Sequence, residues 1–130
     1  MKENNTKIEF LGTNQGKKGY VRYFYGIFEL PAHERVGDCE LRVETELGAL
    51  EHIGNIGYAV DEDKRCRGHA KNACRMLIGE AENLGISEVF VTCEEKNAAS
   101  VRICESLGGR LDSSFSFDGK KFCKDIFRRK

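Results

Sequence analysis

A change of hydrophobic period in the middle of the chain constrains its fold more than any other feature. In the stretch ending at Val60 the apolar residues Ile56, Tyr58 and Val60 fall on every second position, the spacing that lines one face of a β-strand. From Ala70 onward the period lengthens: Ala70, Ala73, Cys74, Leu77, Ile78, Ala81 and Leu84 trace one face of an amphipathic helix, with Gly85 as its C-terminal stop. Ile86 to Cys93 (ISEVFVTC) is then almost continuously apolar, as in a strand covered on both faces. Strand, helix and strand in this order predict a parallel crossover.

The flanking segments complete an α/β pattern. Gly19 to Leu30 and Gly37 to Leu47 read as strands around a turn at Pro31 to Arg35, and Glu51 to Val60 reads as a central strand with a bulge or close approach at Gly54 and Gly57. Asn97 is placed to cap a second helix running to Leu107, which Gly108 and Gly109 end. Arg110 to Phe117 and Lys121 to Arg128 flank Asp118-Gly119, a hairpin turn signal. The expectation is one domain over residues 1–130: a mixed sheet with antiparallel ends, a central parallel strand pair and two packed helices.

Charge and cysteine usage exclude several function classes. Lys+Arg and Asp+Glu both number 21, so the overall balance points to neither nucleic acid nor a membrane surface, and an anion site has to be local. The polar start, Met1 to Asn5, carries no apolar signal core, and no apolar run is long enough to span a bilayer, which predicts a cytoplasmic protein. The six cysteines are scattered, without a Cys-x-x-Cys pair or a Cys/His cluster. No metal site is expected, and Cys74 and Cys93 read as buried thiols.

Between the central strand and the first helix lies Asp63-Lys64-Arg65-Cys66-Arg67-Gly68-His69-Ala70. This basic loop delivers backbone N–H groups to a helix N-terminus, where four donors lack intrahelical partners and the macrodipole is positive. A diphosphate there gains both hydrogen bonds and charge complementarity. Gly68 permits close backbone approach, and Ala70 keeps the helix start uncrowded.

Here the chain resembles the GNAT superfamily, whose pyrophosphate loop, Arg/Gln-x-x-Gly-x-Gly/Ala, is matched by Arg65, Gly68 and Ala70. A second match, Asn97 to Gly109, looks like the family's second-helix signature, with Glu105-Ser106-Leu107-Gly108 as its Glu-x-Leu-Gly. The resemblance covers about residues 37–111. It implies acetyl-CoA as co-substrate and an amine as acetyl acceptor. Backbone groups of Tyr58 and Val60 would meet the thioester carbonyl and pantetheine arm. N–H groups of Arg65, Cys66, Arg67, Gly68, His69 and Ala70 would hold the diphosphate, with charge from Arg67 and Lys71. Asn97 resembles the side chain that touches pantetheine, and Ser100 would help fix the helix start.

Two departures bear on catalysis. Many family members place a tyrosine acid one residue before the Glu of Glu-x-Leu-Gly, and that position is Cys104, so the general-acid role falls on a thiol or on no side chain. For the base, Glu51, His52 and Asn55 lie where the superfamily often places one, and His52 has the most suitable ordinary pKa, near ~6.5. His33 reads as a solvated turn residue. Members also commonly insert one or two helices between their first two strands, whereas here Gly12 to Gly19 has no room for one. N-terminal helices are therefore reduced or absent, and the acceptor cleft is open or closed by a second copy in a homodimer. Tyr20, Tyr23, Phe24, Tyr25 and Phe28 are available to line it or to fill the core. These departures also motivate a rival expectation, a catalytically idle acyl-CoA-binding or regulatory module.

Overall fold

The computed structural model describes residues 5–14 and 19–128. In chain order these form β1 (Thr6–Asn14), β2 (Tyr20–Glu29), β3 (Glu34–Glu44), β4 (Ile56–Val60), a 3-10 turn (Glu62–Lys64), α1 (His69–Asn83), β5 (Glu88–Glu94), α2 (Ala98–Ser106), β6 (Arg110–Phe117) and β7 (Lys120–Arg128). The helices start and stop within a residue or two of where periodicity and capping residues put them. At both C-termini the residues beyond the cap satisfy the last carbonyls: Ile86 N–H reaches Ala81 O, and Gly109 N–H reaches Cys104 O.

β1 is a strand not expected from the sequence, and its end overlaps the helix-free segment Gly12 to Gly19. Thr6 to Asn14 pair antiparallel with Glu29 to Arg22 of β2, with an irregularity between Phe10 and Gly12. Gln15 to Lys18, the middle of the expected loop, lie outside the described residues. The first two strands are thus joined as a hairpin, with strand on both sides of that segment.

The expected central parallel strand pair is not formed among the described residues. The strands build two antiparallel sheets, β1-β2-β3-β4 and β5-β7-β6, which meet at one isolated antiparallel bridge between Gly54 and Val91. Asn55 makes this junction. Its N–H donates to Phe90 O at 2.7 Å and its O accepts Arg42 N–H at 2.6 Å. Its side chain repeats the pattern, with Oδ1 accepting Phe90 N–H at 2.8 Å and Nδ2 donating to Arg42 O at 3.0 Å. Gly54 has φ 71, and a Cβ there would stand 2.8 Å from Phe90 O. A left-handed residue and a side chain in ladder positions end the contact after one bridge. Consequently β4 is only Ile56–Val60, while Glu51 to Ile53 form a turn instead of continuing the expected strand.

Helix α1 closes the core with Ala73, Cys74, Leu77 and Ala81, each fully buried, against Ile27, Leu41, Ile56 and Val60 of the larger sheet and Val89 and Val91 of β5. Side chains such as Leu77 each contribute roughly 2–3 kcal/mol by burial. α2 adds Cys104, and β7 adds Phe127. All six cysteines are free thiols. Burial pushes the thiols of Cys39 and Cys74 up to about 12. Among the described residues no helix is long and apolar enough to cross a membrane.

Candidate functional site

β4 is the last strand of its sheet, so one of its edges carries no strand partner among the described residues. Which residues face that edge follows from the ladder. Asp61 N–H donates to Val36 O at 2.8 Å on β3, and bonded and non-bonded pairs alternate along antiparallel strands. Gly57 and Ala59 therefore point their backbone groups at β3. Tyr58 and Val60 turn theirs away from β3, where Val60 O accepts the Arg65 Nε–H.

The chain leaves β4 through Asp61 and the 3-10 turn and enters α1 through Gly68, the N-cap, at φ 87 and ψ 3 with no side-chain cap. A Cβ at Gly68 would meet only Asn72 Nδ2, at 3.8 Å. The glycine is demanded by the left-handed backbone, and the space over it is open. The first-turn N–H groups of α1 thus face an uncrowded approach with no capping side chain over them.

The basic side chains of the loop are turned back into the protein. Lys64 Nζ reaches Glu34 Oε1 at 3.3 Å, and Arg65 Nε donates to Val60 O at 3.1 Å. Arg67 Nη1 donates to both Glu29 oxygens, at 3.0 and 2.9 Å. Arg67, expected to add charge near a phosphate, is thus paired with Glu29; Lys71 is exposed, and so is Cys66 at φ 65. His69 is engaged more fully. Its ring is 1% exposed, with Nδ1 2.7 Å from Thr6 Oγ1 and Nε2 2.8 Å from Glu29 Oε2, so any contact from His69 to a phosphate is left to its backbone. The His69 and Arg67 hydrogen bonds hold the Glu29 carboxyl below its usual range. Ala70 follows, half-buried against the core.

Across the gap, Asn97 caps α2 as expected, its Oδ1 accepting Ser100 N–H at 3.2 Å. Ser100 also accepts the Tyr58 O–H at 3.1 Å, so a phenol from β4 reaches the start of α2. Sequence spacing alone held no signal for this bridge over 42 residues. Burial raises the Tyr58 hydroxyl above the ordinary phenol value.

The catalytic candidates do not converge. Cys104 is 0% exposed, and its Sγ lies 3.8 Å from Cys93 Sγ. Its hydrogen bond to that neighbour, together with burial, raises its pKa far above the ordinary thiol range. A thiol closed off in this way is packing. His52 is exposed, and its ring lies 5.1 Å from those of both Phe115 and Phe117 on the β6–β7 hairpin. Asn55 is occupied at the sheet junction. Glu51 is exposed in the turn, and His33 is exposed, stacked on Phe28 and 2.6 Å from Glu9.

The aromatic residues of β2 divide between faces. Tyr23 and Tyr25 lie with Phe10 on the core side. Phe24 lies on the opposite face, under the Arg22 guanidinium at 4.6 Å, where it lines a cavity of about 730 Å³ with Arg35, Asp38, Arg42, Gly57 and Ala59. Arg22 and Arg42 both bind Glu40 there at 2.7 Å. Among the described residues no group of His, Cys, Asp and Glu is placed to hold a metal ion.

A family model described as the acetyltransferase (GNAT) domain matches residues 2–110. Solved structures share the fold. A GnaT-family protein from Bordetella pertussis is 23% identical at a TM-score of 0.65, over 81% of this chain and 65% of its own. The ribosomal-protein-S5-alanine acetyltransferase of Vibrio fischeri is 13% identical at 0.69, over 82% and 61%. An acetyltransferase from Salmonella typhimurium that modifies the N-terminal serine of ribosomal protein L7/L12 is 19% identical at 0.66, over 88% and 67%. The chain thus spans less than two thirds of the first two of these proteins. The family model, covering most of the sequence, is decisive: this chain belongs to the GNAT acetyltransferase family.

Proposed function

We propose that the chain is an N-acetyltransferase that moves an acetyl group from acetyl-CoA to a primary amine. The observation that carries this reading is the pairing of a β4 edge without a strand partner among the described residues, presenting the backbone of Tyr58 and the N–H of Val60, with a left-handed Gly68 that opens the N-terminus of α1. The two are joined by a short loop, as a pantetheine arm ending in a diphosphate needs. Backbone N–H groups of Arg65 to Ala70 hold the diphosphate. Tyr58 and Val60 align the arm, and a β4 N–H supplies the donor to the oxyanion. Asn97 and Ser100 bound the arm from α2.

The chemistry is aminolysis of a thioester: a C–N bond forms at the carbonyl carbon, the C–S bond breaks, and the ammonium proton leaves. With Cys104 closed off, solvent or the acceptor ammonium protonates the departing thiolate. His52 is the exposed imidazole beside the turn before β4 and is the base to test first. The acceptor lies in the open cavity on the sheet face, with Gly57 to Ala59 as one wall. Structures of similar fold are described as acting on a ribosomal-protein alanine, an N-terminal serine and spermidine, which favours amine acceptors.

The burial of Cys104 and the stacking of His52 on Phe117 favour one second reading, an acyl-CoA-binding module without turnover. Thiol release from acetyl-CoA across a panel of amines, polyamines, aminosugars and peptide N-termini separates the two. Release with any acceptor supports the enzyme. Silence across the panel with tight CoA binding supports the module.

A further inference from the structure

The loop that presents the N–H groups is gripped from behind by the first two strands, which do not carry it. Arg67 and His69, the residues on either side of Gly68, both end on the Glu29 carboxylate at the end of β2. The other nitrogen of His69 is bonded to Thr6 on β1, and Asn72, one turn along α1, donates to the same hydroxyl at 3.0 Å. Thr6 is 3% exposed and His69 1%. Packing alone does not call for an imidazole here, since an aliphatic side chain of similar volume fills a core position without polar atoms to satisfy. Two bonded nitrogens fix the plane of the ring, and with it the first Cα of α1, against β1 and β2. Gly68, free of steric restraint on its own, is thereby held between two anchored neighbours.

We propose that Glu29 and His69 are positioning residues for the diphosphate site: through Arg67, Thr6 and Asn72 they set the direction of the N–H groups around Gly68. This rests on the acyl-CoA reading above. The two side chains act from behind the loop, bonded to protein groups and not to the diphosphate. Their effect is confined to the part of coenzyme A that meets the loop, which separates them from residues that merely stabilise the fold.

The test compares binding of coenzyme A, by calorimetry, with binding of pantetheine, which lacks the diphosphate, by NMR titration. Wild type, Glu29→Ala, His69→Leu and His69→Gln are each checked for folding by circular dichroism and melting. His69→Leu and Glu29→Ala are expected to weaken coenzyme A roughly tenfold or more while pantetheine changes by less than about twofold. His69→Gln keeps an amide N–H directed at Glu29 and is expected to recover most of the affinity. A folded His69→Leu protein that binds coenzyme A as wild type does, or losses equal for both ligands, overturns the proposal. Wild-type protein that binds no coenzyme A overturns the acyl-CoA reading beneath it.

Discussion

Asn55 Oδ1 accepts the backbone N–H of Phe90 at 2.8 Å, so a side chain takes the place of a strand exactly where the two sheets part. The same amide donates to Arg42 O at 3.0 Å, and the residue is 8% exposed. Replacing Asn55 with Ala orphans a buried N–H and a buried carbonyl, each worth about 1–3 kcal/mol. Urea unfolding is expected to show a loss of about 2–4 kcal/mol, accompanied by weaker coenzyme A binding as the cleft loses its vertex. A loss below about 0.5 kcal/mol, the range of an ordinary surface change, contradicts this role.

Cys104 stands where many relatives carry a tyrosine acid, and it is fully buried against Cys93. Cys104→Ala is expected to cost about 1 kcal/mol of stability, with the rate of thiol release preserved within about twofold. Cys104→Tyr overfills the site, at a cost of at least ~1–3 kcal/mol. A large fall in rate for a folded Cys104→Ala protein with normal coenzyme A affinity contradicts the assignment to packing.

Thiol chemistry offers a footprint of the loop. Cys66 is exposed between Arg65 and Arg67, whereas Cys39, Cys74, Cys93 and Cys104 are buried. A thiol reagent under native conditions is expected to modify Cys66 first, and coenzyme A is expected to slow that modification by covering the N–H groups beside it. Peptide mapping of the labelled protein reads this. Labelling of Cys66 at an unchanged rate with saturating coenzyme A counts against the site.

Two carboxylates predict the acid limb of stability. Glu29 is held below its ordinary value of 4.5 by hydrogen bonds from His69 and Arg67. For Glu40, burial raises the pKa, but Arg22 and Arg42 outweigh it and the net shift is also downward. A group depressed in the folded state contributes stability above its unfolded value, and that contribution is lost as pH falls through the folded value. The melting temperature is therefore expected to be insensitive to these groups above about pH 5.5 and to drop below 4.5. Glu29→Gln should flatten that drop. An acid slope identical to wild type contradicts the role given to Glu29.

The parts of the fold legible in the sequence are those whose causes are local. The helix periods, the Asn97 cap, the glycine stops and the Asp118-Gly119 turn act over a few residues, and the corresponding elements form where they point. The loop from Arg65 to Ala70 is local in the same sense, entering α1 through a left-handed Gly68. The missed features are tertiary. β1 mixes Ile8, Phe10 and Leu11 with Lys7 and Glu9 and is defined by pairing with β2 more than by its own pattern. The parallel pair expected from the crossover fails because Asn55, in sequence only a polar residue beside a glycine, substitutes its side chain for a ladder. The pairing of Arg67 and His69 with Glu29, 38 and 40 residues away, likewise has no local signal.

Whether the N–H groups around Gly68 hold acyl-CoA is decided by calorimetric titration of wild type and Gly68→Glu with coenzyme A. A Cβ at this position meets only Asn72 Nδ2, at 3.8 Å. The variant's left-handed backbone costs about 1–2 kcal/mol, and its carboxylate faces the approach of the diphosphate. The account predicts saturable binding to wild type and a roughly hundredfold or greater loss in the folded variant. Equal affinity in the two proteins would contradict it.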